Sequence, residues 1–320
     1  MKNRKVIRGE KHHWWPIAVS RYWENEKGQV NRLDVNESLI SSSGKEFAKI
    51  SDGHNVIFSE SSVWNSTIEH YFDEPDTNFP KVIDWLQSLN QEEKNIIKIA
   101  DDGIIWHDYT DEMLDMLREC LISLVVRSLK YRNSQVKYIE SLRGELPKKE
   151  AKQLITANIN QKYKILVQNS KGMGKFAILF TYDKEFIFGD GCYSNIGPSS
   201  EHLINLKMLI PLTPNMAVIW AIPMAYRTPP RLISKKITPS IVELINQATQ
   251  IYSKDYLFYK SEKPKIIQDF KLNEHRIYNY ETDPIAKMIN SLIPDEIEKR
   301  YRRDNTNTKE WKKPSVPKSK

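Results

Sequence analysis

Between Asp111 and Leu142 apolar residues recur at helical spacing: Met113, Leu114, Leu117, Leu121, Leu124, Val125 and Leu129 share one face. Asp111, Glu112 and Asp115 sit where a helix favours negative charge. An amphipathic helix this long must bury its stripe, so the rest of the chain has to supply a partner surface. From about Lys162 the texture changes. Tyr163–Val167, Phe176–Phe180, Glu185–Phe188, Lys207–Leu212 and Met216–Ile222 are short apolar runs that predict strands, the last two joined by a tight turn at Pro214-Asn215.

Upstream, Ile68, Tyr71, Phe72, Phe79, Val82, Ile83 and Leu86 predict helices interrupted near Pro75 and Pro80. Lys27-Gly28-Gln29 reads as a turn between short extended pieces. Near the C-terminus, Ser240 is placed to cap a helix through about Tyr252, and Asp283-Pro284 opens another. Helices followed by strands predict an α+β fold: a mostly helical N-terminal region packed with an antiparallel or mixed C-terminal sheet. The expected division is one main body, residues 1–301, with a candidate internal boundary at 147–161, and a basic tail, residues 302–320. That tail offers only Trp311 as an apolar anchor, so disorder is expected there.

Apolar residues make up 40% of the chain, and eight tryptophans and fifteen tyrosines add large area per residue, enough for a substantial core. Cys120 and Cys192 form neither a pair motif nor a metal spacing, which suits a reducing compartment. The basic start, Met1 to Lys11, is followed by His12 and His13 where an export signal needs an apolar run. The longest apolar run, Met216 to Ala225, is too short to span a bilayer and contains Pro223. The expectation is a cytoplasmic protein without a membrane segment.

The net charge is +7, but residues 1–11 carry +4 and residues 302–320 carry +5, which leaves −2 for the body. Nucleic acid would therefore be held loosely through the basic termini, with strong salt dependence, rather than in a basic groove.

Lys171-Gly172-Met173-Gly174-Lys175 is not a phosphate loop. Asn169 stands where the first glycine belongs, and Phe176 where Ser or Thr must follow the lysine. A turn between two strands accounts for it. No dinucleotide fingerprint, zinc-protease histidine pair or nucleophile-elbow serine is present, which removes kinase, dehydrogenase and serine-hydrolase readings.

His13-x-x-Pro16 followed by Arg21-Tyr22-Trp23 resembles the opening of a bacterial family known as domain of unknown function 4238, a His-Tyr-Val-Pro run leading into Tyr-Leu-x-x-Phe. Ile68-Glu69-x-x-Phe72 resembles that family's Ile-Glu helix. Phe188-Gly189-Asp190-Gly191 is similar to its Thr-Ser-Asp-Asn-Pro segment, and Ile210-Pro211-Leu212-Thr213-Pro214 to its Pro-Leu-Ser-Pro strand. The motifs fall in the same order over about residues 11 to 260. Gly189 replaces the serine before the aspartate, Cys192 stands for a proline, and Trp15 for a valine. The resemblance implies a bacterial or phage-encoded cytoplasmic protein and brings no reaction with it.

Three polar positions stand out: His13, Glu69 and Asp190. An imidazole and two carboxylates from separate segments suit a divalent metal, Mg²⁺ or Mn²⁺, that activates water against a phosphodiester. His12 offers a second imidazole, although neighbours on an extended segment point to opposite faces. Flanking glycines at 189 and 191 would let a bend expose the Asp190 carboxylate. Each residue also has a plain structural role open to it: a histidine bonded within an aromatic core, a glutamate complementing a helix dipole, an Asp organising a Gly-Asp-Gly turn. Trp14, Trp15, Tyr22 and Trp23 are similarly divided between base stacking and core packing. The expected function is a metal-assisted phosphodiesterase or nuclease, the effector of a phage-defence or toxin system. The alternative is a non-catalytic binding or sensing module in which His13, Glu69 and Asp190 are structural.

Overall fold

The computed structural model describes residues 9–57, 65–90, 96–100, 102–196, 203–272 and 283–294. The basic ends at 1–8 and 302–320 lie outside the described residues, and so does most of the polar stretch that precedes the tail. The fold is α+β. Among the described residues no helix is long and apolar enough to cross a membrane.

The first segment contains more strand than the sequence suggested. It runs β1 (Lys11–His13), α1 (Ile17–Ser20), a 3₁₀ turn (Arg21–Trp23), β2 (Gln29–Asp34), β3 (Leu39–Ser43), β4 (Lys49–Ser51), β5 (Asn55–Val56) and β6 (Ser66–Thr67). Polar turns recur there every few residues, so no window sustains a helix longer than the single turn of α1. A second 3₁₀ turn, Glu69–Tyr71, leads into α2 (Asp73–Ser88). The two prolines do not split α2: Pro75 lies in its first turn, where a missing N–H costs nothing, and Pro80 is accommodated inside.

After β7 (Ile96–Ile99) and β8 (Ile105–His107) comes the expected long helix, divided in two. Thr110 caps α3 (Asp111–Arg127) by accepting from Met113 N at 3.2 Å. Ser128 is extended, ends α3, and caps α4 (Leu129–Arg143) by accepting from Tyr131 N at 3.2 Å. Leu114, Leu117, Leu121, Leu124 and Val125 are buried as the spacing requires.

The Tyr163–Val167 run is not a strand. It lies in α5 (Lys148–Asn169), where Thr156, Ile159, Tyr163 and Leu166 form a buried face at helical spacing. A short apolar run reads alike in either conformation, and here the helix wins by continuing about four turns upstream. The Lys171–Lys175 segment accordingly joins a helix to a strand rather than two strands.

The remainder is β9 (Lys175–Phe180), β10 (Phe188–Gly189), β11 (Tyr193–Ser194), β12 (Lys207–Thr213), β13 (Met216–Ala221), β14 (Leu232–Lys236), α6 (Pro239–Tyr252), β15 (Tyr256–Tyr259), α7 (Gln268–Lys271) and α8 (Pro284–Leu292). The cap of α6 is Thr238, not Ser240. That of α8 is Asp283, which accepts from Ile285 N. A seven-stranded mixed sheet has the order β11-β12-β13-β9-β14-β8-β7, with β14 parallel to β9. Its central strands are buried end to end, which explains their unbroken apolar runs. An antiparallel sheet, β10-β15-β2-β3, links the N-terminal strands to the C-terminal part.

One hydrophobic core collects residues from Trp14 to Ile293. The N-terminal aromatics belong to it. Trp15 stacks on Phe188 at 4.3 Å and Phe188 on Phe258 at 4.6 Å, while Trp23 Nε1 donates to Leu212 O at 3.0 Å. Burial of this kind is worth about 3 kcal/mol per ring and leaves Trp14, Trp15 and Trp23 no face for a base.

Candidate metal centre

Two small antiparallel pairs build the site. β1 pairs with β4, placing His12 opposite Ile50. The chain then reverses through Asp52-Gly53: Asp52 adopts a left-handed φ of 51°, and its carboxylate accepts from Gly9 N at 2.9 Å and Asn55 Nδ2 at 3.2 Å. Asp52 N donates to Glu10 O at 2.7 Å, tying the turn to the start of β1.

This reversal lays His54 against His12. Both are buried, their ring centroids are 4.9 Å apart, and His54 N donates to His12 Nδ1 at 3.3 Å. The second pair, β5 with β6, brings in the carboxylate. His54 O accepts from Ile68 N at 2.9 Å and Thr67 Oγ1 at 3.3 Å, and Thr67 Oγ1 in turn accepts from Glu69 N at 3.3 Å. Glu69 Oε2 thereby meets His54 Nδ1. One donor atom from each of His12, His54 and Glu69 lies within 4.8 Å of the others. Glu69 is 24% exposed, so the cluster faces solvent on the glutamate side.

Burial dominates the electrostatics of His54, pushing its pKa down to about 4 against the pull of Glu69, with Arg132 and Arg127 adding to the fall. Burial would raise Glu69, but the bond and charge of His54, then His12 and Arg127, outweigh it and hold the carboxyl at about 2. At neutral pH His54 is therefore a neutral ring donating to a carboxylate. Neutral imidazole and ionised carboxylate are the forms that bind metals.

Two buried guanidiniums flank the cluster. Arg127 forms a two-pronged pair with Asp76 at 2.6 and 3.0 Å and lies 4.5 Å over the Phe72 ring, which is itself 5.0 Å from His54. Arg132 donates through Nη2 to Gly53 O at 2.6 Å, and burial lowers its pKa to about 10. Among the described residues Arg132 has no carboxylate partner, and its Nη1 has no hydrogen-bond partner.

Of the three positions singled out by sequence, the structure brings only Glu69 into this cluster. His13, next to His12 on β1, is half-buried and within electrostatic reach of Glu69, but it is not one of the three donors that converge. Its pKa is lowered by burial and by Lys49. Asp190 is fully buried rather than exposed at a strand end. Its two oxygens accept from Lys254 N and Asp255 N, both at 2.8 Å, and its own N donates to Tyr256 O at 3.1 Å. It clamps the connection between α6 and β15. The flanking glycines serve that close packing, since a Cβ at 189 would lie 1.8 Å from Ser253 Oγ and one at 191 would lie 2.1 Å from Tyr252 O.

No family model, no curated protein and no solved structure matches this chain. The site therefore has to be read from its own atoms. Two imidazole nitrogens and one carboxylate oxygen suit a borderline ion, Zn²⁺ or Mn²⁺, better than Mg²⁺, which prefers oxygen alone. Sequence reasoning missed His54 because no apolar period passes through it. The one available signal was Asp52-Gly53, a turn pair that folds the chain back beside β1.

Proposed function

We propose that the chain is a metal-dependent phosphodiesterase acting on nucleic acid, with a divalent cation held by His12, His54 and Glu69. The observation that carries this reading is the convergence of those three donors, with His54 neutral, Glu69 ionised and the carboxylate on the solvent side. A cation there would polarise a phosphoryl oxygen and activate water. The chain's own residues add the bias toward an anionic substrate: Arg132 places positive charge within electrostatic reach of His54, whereas Arg127 is paired with Asp76.

The non-catalytic alternative draws on the bonds that the cluster makes internally, His54 to Glu69 and His54 N to His12. It gives no account of the buried Arg132 charge, which has no carboxylate partner among the described residues and is costly if left so.

The test is thermal melting with Zn²⁺, Mn²⁺ and Mg²⁺, paired with cleavage of end-labelled DNA and RNA, for wild type and His54→Ala. The expected result is stabilisation and cleavage with Zn²⁺ or Mn²⁺, both lost in the variant. A wild type that gains no stability from any of the ions and cuts neither polymer would overturn the proposal.

A further inference from the structure

Glu10 stands two residues before His12 where the chain enters β1, and in extended backbone that spacing puts both side chains on one face. Glu10 Oε2 lies 3.5 Å from His12 Nε2, an ion-pair distance a little beyond a good hydrogen bond. No hydrogen bond is made by Nε2 among the described residues, so the Glu10 carboxylate is the polar group nearest to hand for it. The other ring nitrogen, Nδ1, accepts from His54 N and must therefore carry a lone pair. The neutral ring then bears its proton on Nε2, pointing at the Glu10 carboxylate. Nδ1 is left facing His54.

We infer that Glu10 is a positioning residue for the metal centre: its carboxylate holds the Nε2–H of His12 and so presents the Nδ1 lone pair to the cation. This inference rests on the metal reading above. The arrangement is a carboxylate–histidine–metal relay, in which the outer carboxylate fixes the tautomer and ring orientation and raises the basicity of the ligating nitrogen. Glu10 stays out of direct coordination, because it is not among the donors that fall within 4.8 Å of one another. The backbone of Glu10 is anchored separately, through the bond from Asp52 N to Glu10 O. A side-chain substitution keeps that backbone tie to the turn that seats His54.

The experiment titrates Zn²⁺ into the full chain and its Glu10→Ala and Glu10→Gln variants, and records the ring-nitrogen NMR shifts of His12 in the metal-free proteins. Glu10→Ala should weaken Zn²⁺ binding about 10- to 100-fold while the metal-free melting temperature stays within a few degrees. Glu10→Gln keeps an acceptor oxygen without the charge, so its loss should be smaller. In metal-free wild type the His12 proton should reside on Nε2, and Glu10→Ala should relax that preference. Equal Zn²⁺ affinity in wild type and Glu10→Ala, or a His12 proton on Nδ1 in wild type, would overturn the role of Glu10 and leave the metal centre standing. A wild type that binds no Zn²⁺ would overturn both.

Discussion

The backbone N–H of His54 donates to Nδ1 of His12 across 3.3 Å, joining two residues 42 positions apart. A cation and that N–H compete for one lone pair. If the ion takes Nδ1, the amide loses its acceptor. If it takes Nε2, the ring proton moves to Nδ1 and opposes the same N–H. On either route, saturation with Zn²⁺ should shift the His54 amide proton upfield, as expected for a broken hydrogen bond. The amides of Asn55 and Val56 in β5 should move far less. A His54 amide that stays put under saturating Zn²⁺ would place the ion somewhere else.

Asp190→Asn tests the clamp between α6 and β15. Each Asp190 oxygen accepts a backbone N–H at 2.8 Å, and an asparagine has only one oxygen to offer. Its amide nitrogen would face the second N–H, so one buried donor loses its acceptor. The expected cost is about 1–3 kcal/mol, measured by urea unfolding. A variant as stable as wild type would mean that the loop re-forms around a single bond.

The same residue gives the protein a pH dependence. Burial pushes the Asp190 carboxyl up to about 7 from an ordinary value of 3.8, against the bonds from Lys254 and Asp255. A raised carboxyl pKa favours the fold below the unfolded value, and that contribution is lost as pH rises through the folded one. Stability should therefore fall between about pH 4 and pH 7, and the gap between wild type and Asp190→Asn should narrow over that range. Melting curves at closely spaced pH values decide it, and a gap independent of pH would contradict this account.

Leu121 and Leu124 lie on the buried face of α3, where they are 0% and 2% exposed. Replacing either by alanine should cost roughly 2–5 kcal/mol, set by how far α2 and α5 can close over the cavity. Chemical denaturation with an unchanged slope would read that loss directly.

What the sequence made legible follows from how local each signal was. The face of α3 and the β12–β13 hairpin at Pro214-Asn215 were readable because period and turn chemistry sit within a few residues. Ser128 was less obvious: it breaks the helix while the apolar pattern continues on both sides. Tyr163–Val167 misled because its helical partners, Ile159 and Thr156, lay outside the window. The cluster of His12, His54 and Glu69 was half legible. Glu69, singled out by sequence, lies in it, but choosing between His12 and His13 required the pairing of β1 with β4, and His54 required the turn beyond it. Asp190 was conspicuous for its glycines, which the tight packing of Ser253 and Tyr252 explains without a ligand.

Arg132 separates stability from function. Its guanidinium is 5% exposed, and its one hydrogen bond among the described residues goes to Gly53 O. Burying a charge with so little compensation opposes folding, and a well-packed apolar replacement is often neutral or stabilising. Arg132→Met fills much the same volume, and Thr156 Oγ1, 3.4 Å from Gly53 O, remains to satisfy that carbonyl. The variant should therefore melt at or above the wild-type temperature. If the charge serves an anionic substrate, cleavage of DNA or RNA should fall at least about tenfold, as for loss of one charge-assisted contact worth roughly 1.5–3 kcal/mol. Zn²⁺ affinity should not weaken, because removing a nearby positive charge does not disfavour a cation. A loss of several kcal/mol in stability would instead make Arg132 a structural brace for the Gly53 turn. Full activity at unchanged stability would remove it from substrate binding and leave the metal-binding residues to act alone.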